Sequence, residues 1–161
     1  MASEADTVAI ERAHAPTDDA RVLVDELERT LAAEYPPEQR HGLALDAIFQ
    51  PNLRFFIARL GGTAVGCGGV ALLAGFAEVK RMYVRETARG RGVAPALLAR
   101  IEQEARAAGF ALLRLETGTN QIAALRFYER EGFRPCPVFG DYAAMAPQAI
   151  ATSVFMEKRL A

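Results

Sequence analysis

Between Leu60 and Ala77 the chain runs eighteen residues without a charge, and six of those eighteen are glycine. Eighteen residues is about the shortest apolar run that crosses a bilayer as a helix. A glycine inside a helix costs roughly 1 kcal/mol against alanine, so Gly66, Gly68, Gly69 and Gly75 argue against one here. Gly61-Gly62 is a turn dipeptide, and the residues on either side of it read as two strands of a hairpin. A chain with such a middle builds a sheet. Composition agrees, since 51% hydrophobic and 24% charged residues over 161 positions describe a globular chain expected to form one domain, structured from about 7 to 160. Nineteen basic against twenty acidic residues leave a net charge of -1, without the broad positive field that holds nucleic acid.

The flanks supply helices. Thr7 to Arg12 alternates as a first strand, and Thr17, Asp18 and Asp19 are three possible N-caps. Ala20, Leu23, Val24, Leu27 and Leu31 then form a helical stripe that Pro36-Pro37 ends. A second, weaker helix is expected from Glu38 to Phe49. Strands are expected at Leu53 to Leu60, Thr63 to Leu73 and Phe76 to Val84. Ala94, Leu97, Leu98, Ile101, Ala105 and Ala108 make the clearest helical stripe, closed at Gly109. Leu112 to Thr117 reads as a strand, and Asn120 as a candidate cap for a short helix carrying Ile122, Leu125 and Tyr128 up to Gly132. Phe133 opens another strand, and a Pro- and Ala-rich loop leads to a last strand at Ser153 to Leu160. The fold class is α/β (α+β), without an internal repeat.

Chemistry concentrates where a strand end meets the strongest helix, in Val84-Arg85-Glu86-Thr87-Ala88-Arg89-Gly90-Arg91-Gly92-Val93-Ala94. Glycines let backbone approach a ligand, and the first N–H groups of a helix have no internal partner and carry the positive end of its dipole. Such a turn suits a pyrophosphate. Arg85, Arg89 and Arg91 add cation density, although seventeen of the nineteen basic residues are Arg and any single one carries little information. A plain strand-to-helix turn has the same glycines. No Gly-Lys-Ser/Thr closes the segment as in a P-loop, and the three-glycine dinucleotide fingerprint is missing.

The segment closely resembles the acetyl-CoA signature of the GNAT superfamily of N-acetyltransferases, with Arg89, Gly92 and Ala94 in the signature places. Glu78 to Val84 resembles that family's splayed central strand, and Ala124 to Phe133 its Phe-Tyr, Gly-Phe block. The resemblance implies a mixed, mostly antiparallel central sheet with helices on both faces, and direct acetyl transfer from acetyl-CoA to an amine without a metal. By the same resemblance, Met82, Tyr83 and Val84 would hold the pantetheine through backbone groups, and Arg89, Gly90, Arg91, Gly92, Val93 and Ala94 would hold the pyrophosphate. Asn120 would touch the cofactor; its alternative is the plain helix cap. Tyr128 would protonate the departing thiolate; its alternative is a core aromatic on the Ile122–Leu125 stripe. Glu78 would be the general base; its alternative is a carboxylate paired with Lys80, two residues along the same strand face.

Other residues offer less. Cys67 reads as a small buried thiol, Cys136 has no His near it in sequence, and two cysteines form no disulfide framework, so a reducing cytoplasm is the expected setting. The acidic start Met1 to Asp6 does not look like a leader. His14 and His41 make no metal pair. The acceptor site is expected to draw on Tyr35, Glu38, His41, Asp141 and Tyr142, with Arg40 among them, and to take a primary amine of a small molecule. A protein N-terminus or lysine is the alternative acceptor, and a non-catalytic acyl-CoA-binding regulatory module is the alternative function. A homodimer through the last strand is compatible with the resemblance.

Overall fold

The computed structural model describes residues 7–160, so the acidic start Met1 to Asp6 lies outside the described residues. One seven-stranded sheet, in the order β1-β2-β3-β4-β5-β7-β6, organises the chain. Its strands are β1 (Val8–Ala13), β2 (Leu53–Leu60), β3 (Thr63–Leu72), β4 (Ala77–Val84), β5 (Leu112–Gly118), β6 (Arg134–Pro135) and β7 (Ser153–Arg159). Among the described residues four α-helices accompany it: α1 (Asp18–Ala32), α2 (Leu45–Ile48), α3 (Val93–Ala107) and α4 (Ile122–Arg130). Every ladder is antiparallel except β4 with β5. The uncharged run is the expected hairpin, and among the described residues no helix is long and apolar enough to cross a membrane.

The period-2 alternation of β2 sorts the core onto two faces. Phe55 and Ile57 pack with Ala20, Leu23 and Val24 of α1 and Ile48 of α2. Their neighbours Phe56, Ala58 and Leu60 pack on the opposite side with Leu97, Leu98 and Ile101 of α3 and Tyr128 of α4. Helices therefore cover both faces, as the sequence implies. Of the three possible caps, Thr17 is the one used: its hydroxyl accepts from the Ala20 N–H at 3.3 Å, and Asp18 and Asp19 fill the positive first turn.

Three local expectations fail. The helix expected over 38–49 is a single turn at Pro37–Gln39, an extended stretch, and then the one-turn α2. The polar groups of the extended stretch bond across the molecule instead of along a helix: His41 Nε2 lies 2.6 Å from the Ala149 carbonyl, and the Leu43 carbonyl accepts from Arg81 Nε at 2.9 Å. Tertiary bonding outweighs a weak local propensity there. Asn120 does not cap α4, whose cap position is Gln121; the Asn120 N–H donates to the Tyr35 hydroxyl at 2.9 Å. Phe133 is buried behind α4, and β6 begins only at Arg134.

The feature that positions the site is a break in β4. Cys67 pairs with Tyr83 and Gly69 with Lys80, so two residues of β4, Arg81 and Met82, face the single Gly68. Arg81 takes a left-handed backbone with φ 54°, the conformation of a bulge residue. On its other edge β4 pairs with β5 only at Ala77–Leu113 and Glu78–Arg114. Beyond Glu78 the two strands part, and the backbone of β4 has no strand partner on that side.

Phe56 is fully buried between β2 and α3. Phe56→Ala is expected to lower unfolding free energy by about 3–5 kcal/mol, read as a lower urea midpoint at unchanged slope. A loss under about 1 kcal/mol would mean that this layer is not packed as described.

Candidate active site

The opening between β4 and β5 continues into a cavity of about 160 Å³. Leu27 and Leu31 of α1 reach it from one face of the sheet, and Ala124 and Tyr128 of α4 reach it from the other. Glu78 to Met82 and Leu115 to Gly118 form its strand walls, and Tyr35, Gln39, Arg40, His41 and Tyr142 its outer end. Two surface segments close that end together. Gln39 Nε2 donates to the Gln148 carbonyl at 3.3 Å, Thr152 Oγ1 donates to Gln39 Oε1 at 3.3 Å, and His41 bonds Ala149. The ring of Tyr142 is held between His41, Phe139 and Phe155 in edge contacts at 5.3–5.6 Å.

Two candidate catalytic groups share this cavity. Glu78 is 3% exposed and accepts from the Tyr142 hydroxyl at 2.7 Å, while Lys80 Nζ lies 2.9 Å from its carboxylate and 3.0 Å from the same hydroxyl. The Glu78–Lys80 pairing read as an alternative is therefore real, and Glu78 still forms part of the cavity wall. Tyr128 is 5% exposed, its ring set edge-on to Phe133 at 5.5 Å. Burial pushes its phenol well above the ordinary value near 10, so the group stays protonated and able to donate.

The glycine loop lies at the start of α3. Gly90 and Gly92 have φ of 77° and 81°, and nothing lies within 4 Å of where a side chain would begin at either. Glycine is needed there for backbone conformation, and the open space lets a ligand reach the peptide groups. Gly92 caps α3 without a side-chain bond, and Pro95 sits within the first turn, where its missing N–H costs nothing. Arg89 and Arg91 are exposed beside the loop. Arg85 is not part of that cation cluster: it bonds Glu26 at 2.7 Å and the Ala64 carbonyl at 3.1 Å, and its guanidinium holds the Glu26 carboxyl below the usual range.

Residues 21–133 match the family model for the acetyltransferase (GNAT) family. The chain belongs to the GNAT family of acetyltransferases. It is 46% identical over 148 residues to an IAA acetyltransferase of Azospirillum brasilense, spanning 90% of this chain and 94% of that one. The crystal structure described as an acyl-CoA N-acyltransferase of Klebsiella pneumoniae subsp. pneumoniae MGH 78578 superposes with a TM-score of 0.76 at 32% identity, covering 97% and 99% of the two chains. The PaiA N-acetyltransferase of Thermoplasma acidophilum, solved in complex with coenzyme A, shares the fold at a TM-score of 0.69 and 17% identity, over 95% and 99% of the chains.

Within this acetyltransferase the structure brings Glu78, Met82, Tyr128, Tyr35, His41 and Tyr142 to one cavity, but not Glu38 or Asp141, which are exposed outside it. His14 is exposed and also absent from the cavity wall. Cys67 is fully buried, donates to the Arg81 carbonyl at 3.3 Å, and its thiol is pushed up to about 12 by burial, which makes it the inert structural thiol expected. Sequence reading missed Glu116. It lies on β5 in the cavity wall and accepts from Ser153 Oγ at 2.7 Å. Its position in Leu113-Arg114-Leu115-Glu116-Thr117, alternating with buried leucines, was the available signal.

Burial raises the Glu116 carboxyl above its ordinary 4.5, against lowering by the Ser153 bond and by His41 and Lys80. A folded value above the unfolded one stabilises fully below the unfolded value, and the gain is lost as pH rises through the folded value. Glu116→Gln removes that loss. Its stability relative to the parent is expected to increase as pH rises above 4.5, measured by urea unfolding at several pH values. A difference independent of pH would show that Glu116 is not desolvated.

Proposed function

We propose that this acetyltransferase moves the acetyl group of acetyl-CoA directly to a primary amine of a small molecule. The observation that carries this reading is continuity: the unpaired edge of β4 leads into a cavity whose walls include both a buried carboxylate and a buried phenol. Acetyl-CoA supplies the acetyl group as an activated thioester. The backbone N–H groups from Arg89 to Ala94 hold its pyrophosphate, in the open space beside Gly90 and Gly92. Met82, Tyr83 and Val84 bind the pantetheine arm through backbone groups beyond the last β4–β5 pair, and a β4 N–H polarises the thioester carbonyl. The Asn120 N–H is already bonded to Tyr35, which leaves its exposed side-chain amide for the cofactor.

Glu78 takes the proton that an ammonium must lose before its nitrogen can attack, since an alkylamine with pKa about 10.4 is almost fully protonated at neutral pH. Tyr128 gives a proton to the departing thiolate. The linked outer end supports a small acceptor, because bonds from Gln39 and His41 to residues 148–152 tie the two segments together across a cavity of about 160 Å³.

CoA thiol release is measured with acetyl-CoA and a panel of amines, together with IAA, the compound in the name of the Azospirillum relative. Glu78→Gln is expected to lower kcat about 10²- to 10⁴-fold, and Tyr128→Phe to lower kcat while acetyl-CoA binding by calorimetry is kept. Wild-type rates in both variants would remove these roles, and absence of acetyl-CoA binding would overturn the reading of the glycine loop.

A further inference from the structure

The charged groups of the cavity do not all cancel one another. Lys80 is taken up by Glu78 and Tyr142, and Arg81 by Glu28 and the Leu43 carbonyl. Two groups keep unused capacity. Arg40 reaches Glu28 only through Nη1, at 3.5 Å, and its Nε is the one buried side-chain nitrogen or oxygen without a hydrogen-bond partner among the described residues. Glu116 accepts a hydrogen bond from a neutral hydroxyl and forms no ion pair among the described residues.

A buried guanidinium N–H without an acceptor loses its hydration and recovers nothing for it, so such atoms are rare unless a bound water, ion or ligand supplies the acceptor. Arg40 and Glu116 lie on the wall of the same small cavity, one offering a donor and the other an acceptor. Lys80, His41 and Arg81 also face this space, and each is already bonded within the protein. A diamine would find its acidic partner in Glu116 and leave Arg40 Nε unanswered. A molecule carrying both a carboxylate and an ammonium answers both.

We infer that the acceptor is a free amino acid or a close analogue, its carboxylate bound by Arg40 Nε and its ammonium received by Glu116. This inference rests on the acetyl-transfer reading for the reaction that follows, but the binding itself can be read without transfer. Arg40 is thus a specificity residue at the outer end of the cavity, and Glu78 remains the group that takes the proton. A guanidinium bonds a carboxylate with fixed direction, which a lysine ammonium reproduces only in part.

The test titrates free amino acids and their α-carboxamides, in matched pairs such as leucine with leucinamide and alanine with alaninamide, into the full-length protein by calorimetry, with and without coenzyme A. The expected result is that at least one free amino acid binds roughly 10- to 100-fold tighter than its α-carboxamide, the range for one charge-assisted hydrogen bond. Arg40→Gln should bring that ratio close to one, and Arg40→Lys should restore part of it. In turnover assays the same variants should change the KM ratio of acid to amide more than the kcat ratio. Equal or tighter binding of amides or diamines, no binding of any amino acid, or an unchanged ratio in Arg40→Gln would each overturn the inference. Amino acids that bind with this discrimination but are not acetylated would instead count against the transferase reading.

Discussion

Everything at the active site depends on one backbone conformation, the left-handed turn of Arg81 within β4. A non-glycine residue in that region costs about 1–2 kcal/mol, and a strand that simply continued its ladder would avoid it. The offset comes from the side chain that the bulge redirects. The Arg81 guanidinium bonds Glu28 of α1 and the Leu43 carbonyl, and packs so closely on Gly42 that any side chain there would collide with it. At about 1 kcal/mol per hydrogen bond the two together match the backbone cost. The bulge therefore ties α1, the 40–44 segment and β4 into one unit, and on the far edge of β4 it opens the split from β5 in which the cavity lies.

A sheet interrupted in this way exposes polar backbone in its interior, which an apolar lining alone could not satisfy. Loops that fold back over the opening carry polar side chains to its outer end. The 136–151 segment has only two short 3-10 helices, Gly140–Ala144 and Pro147–Ile150, yet it is anchored by Phe139 against Phe76 and Phe155 and by Tyr142 against the Glu78–Lys80 pair. Arg114 lies over both the Phe76 and Phe139 rings, at 4.8 and 5.3 Å. The loop is held by packing from outside and by hydrogen bonds from inside, so the outer end of the cavity is as well specified as its strand walls.

The helical stripes and the glycine hairpin were legible because each is a local pattern with one structural solution. The Ala94 to Ala108 stripe and the turn at Gly61-Gly62 have no competing partner elsewhere. The segment from Glu38 to Phe49 was not legible, since its Leu43 carbonyl accepts from the Arg81 side chain of β4 and its His41 ring bonds the 147–150 turn, residues far away in sequence. The glycine loop could be read from its own residues. Arg85 was misassigned for the opposite reason: its Glu26 partner lies 59 positions away, and only the fold brings them together. Glu116 stayed hidden because a glutamate in an exposed strand position and one facing a cavity look alike in sequence, and they differ only in what packs opposite.

Burial also links the two candidate catalytic groups. The phenol of Tyr128 is raised because its anion would be poorly solvated, and the thiol of Cys67 shows the same force pushing a sulfur to about 12. On the proposed reaction, a CoA thiolate released into this cavity would meet the same loss of solvation, and its proton affinity would rise along with that of the phenol. Were only one of them buried, a phenol raised this far would be too weak an acid for a thiol of ordinary pKa. On the proposed reaction the match would make enclosure part of the chemistry: it keeps the phenol protonated and would make the leaving sulfur basic enough to take the proton. The proposed amine end would need the reverse, an acceptor for a proton, and there the wall carries Glu78 with Lys80 and Tyr142 bonded to its carboxylate. On that reading one cavity would serve both the sulfur and the nitrogen, with the parted strands β4 and β5 in its wall.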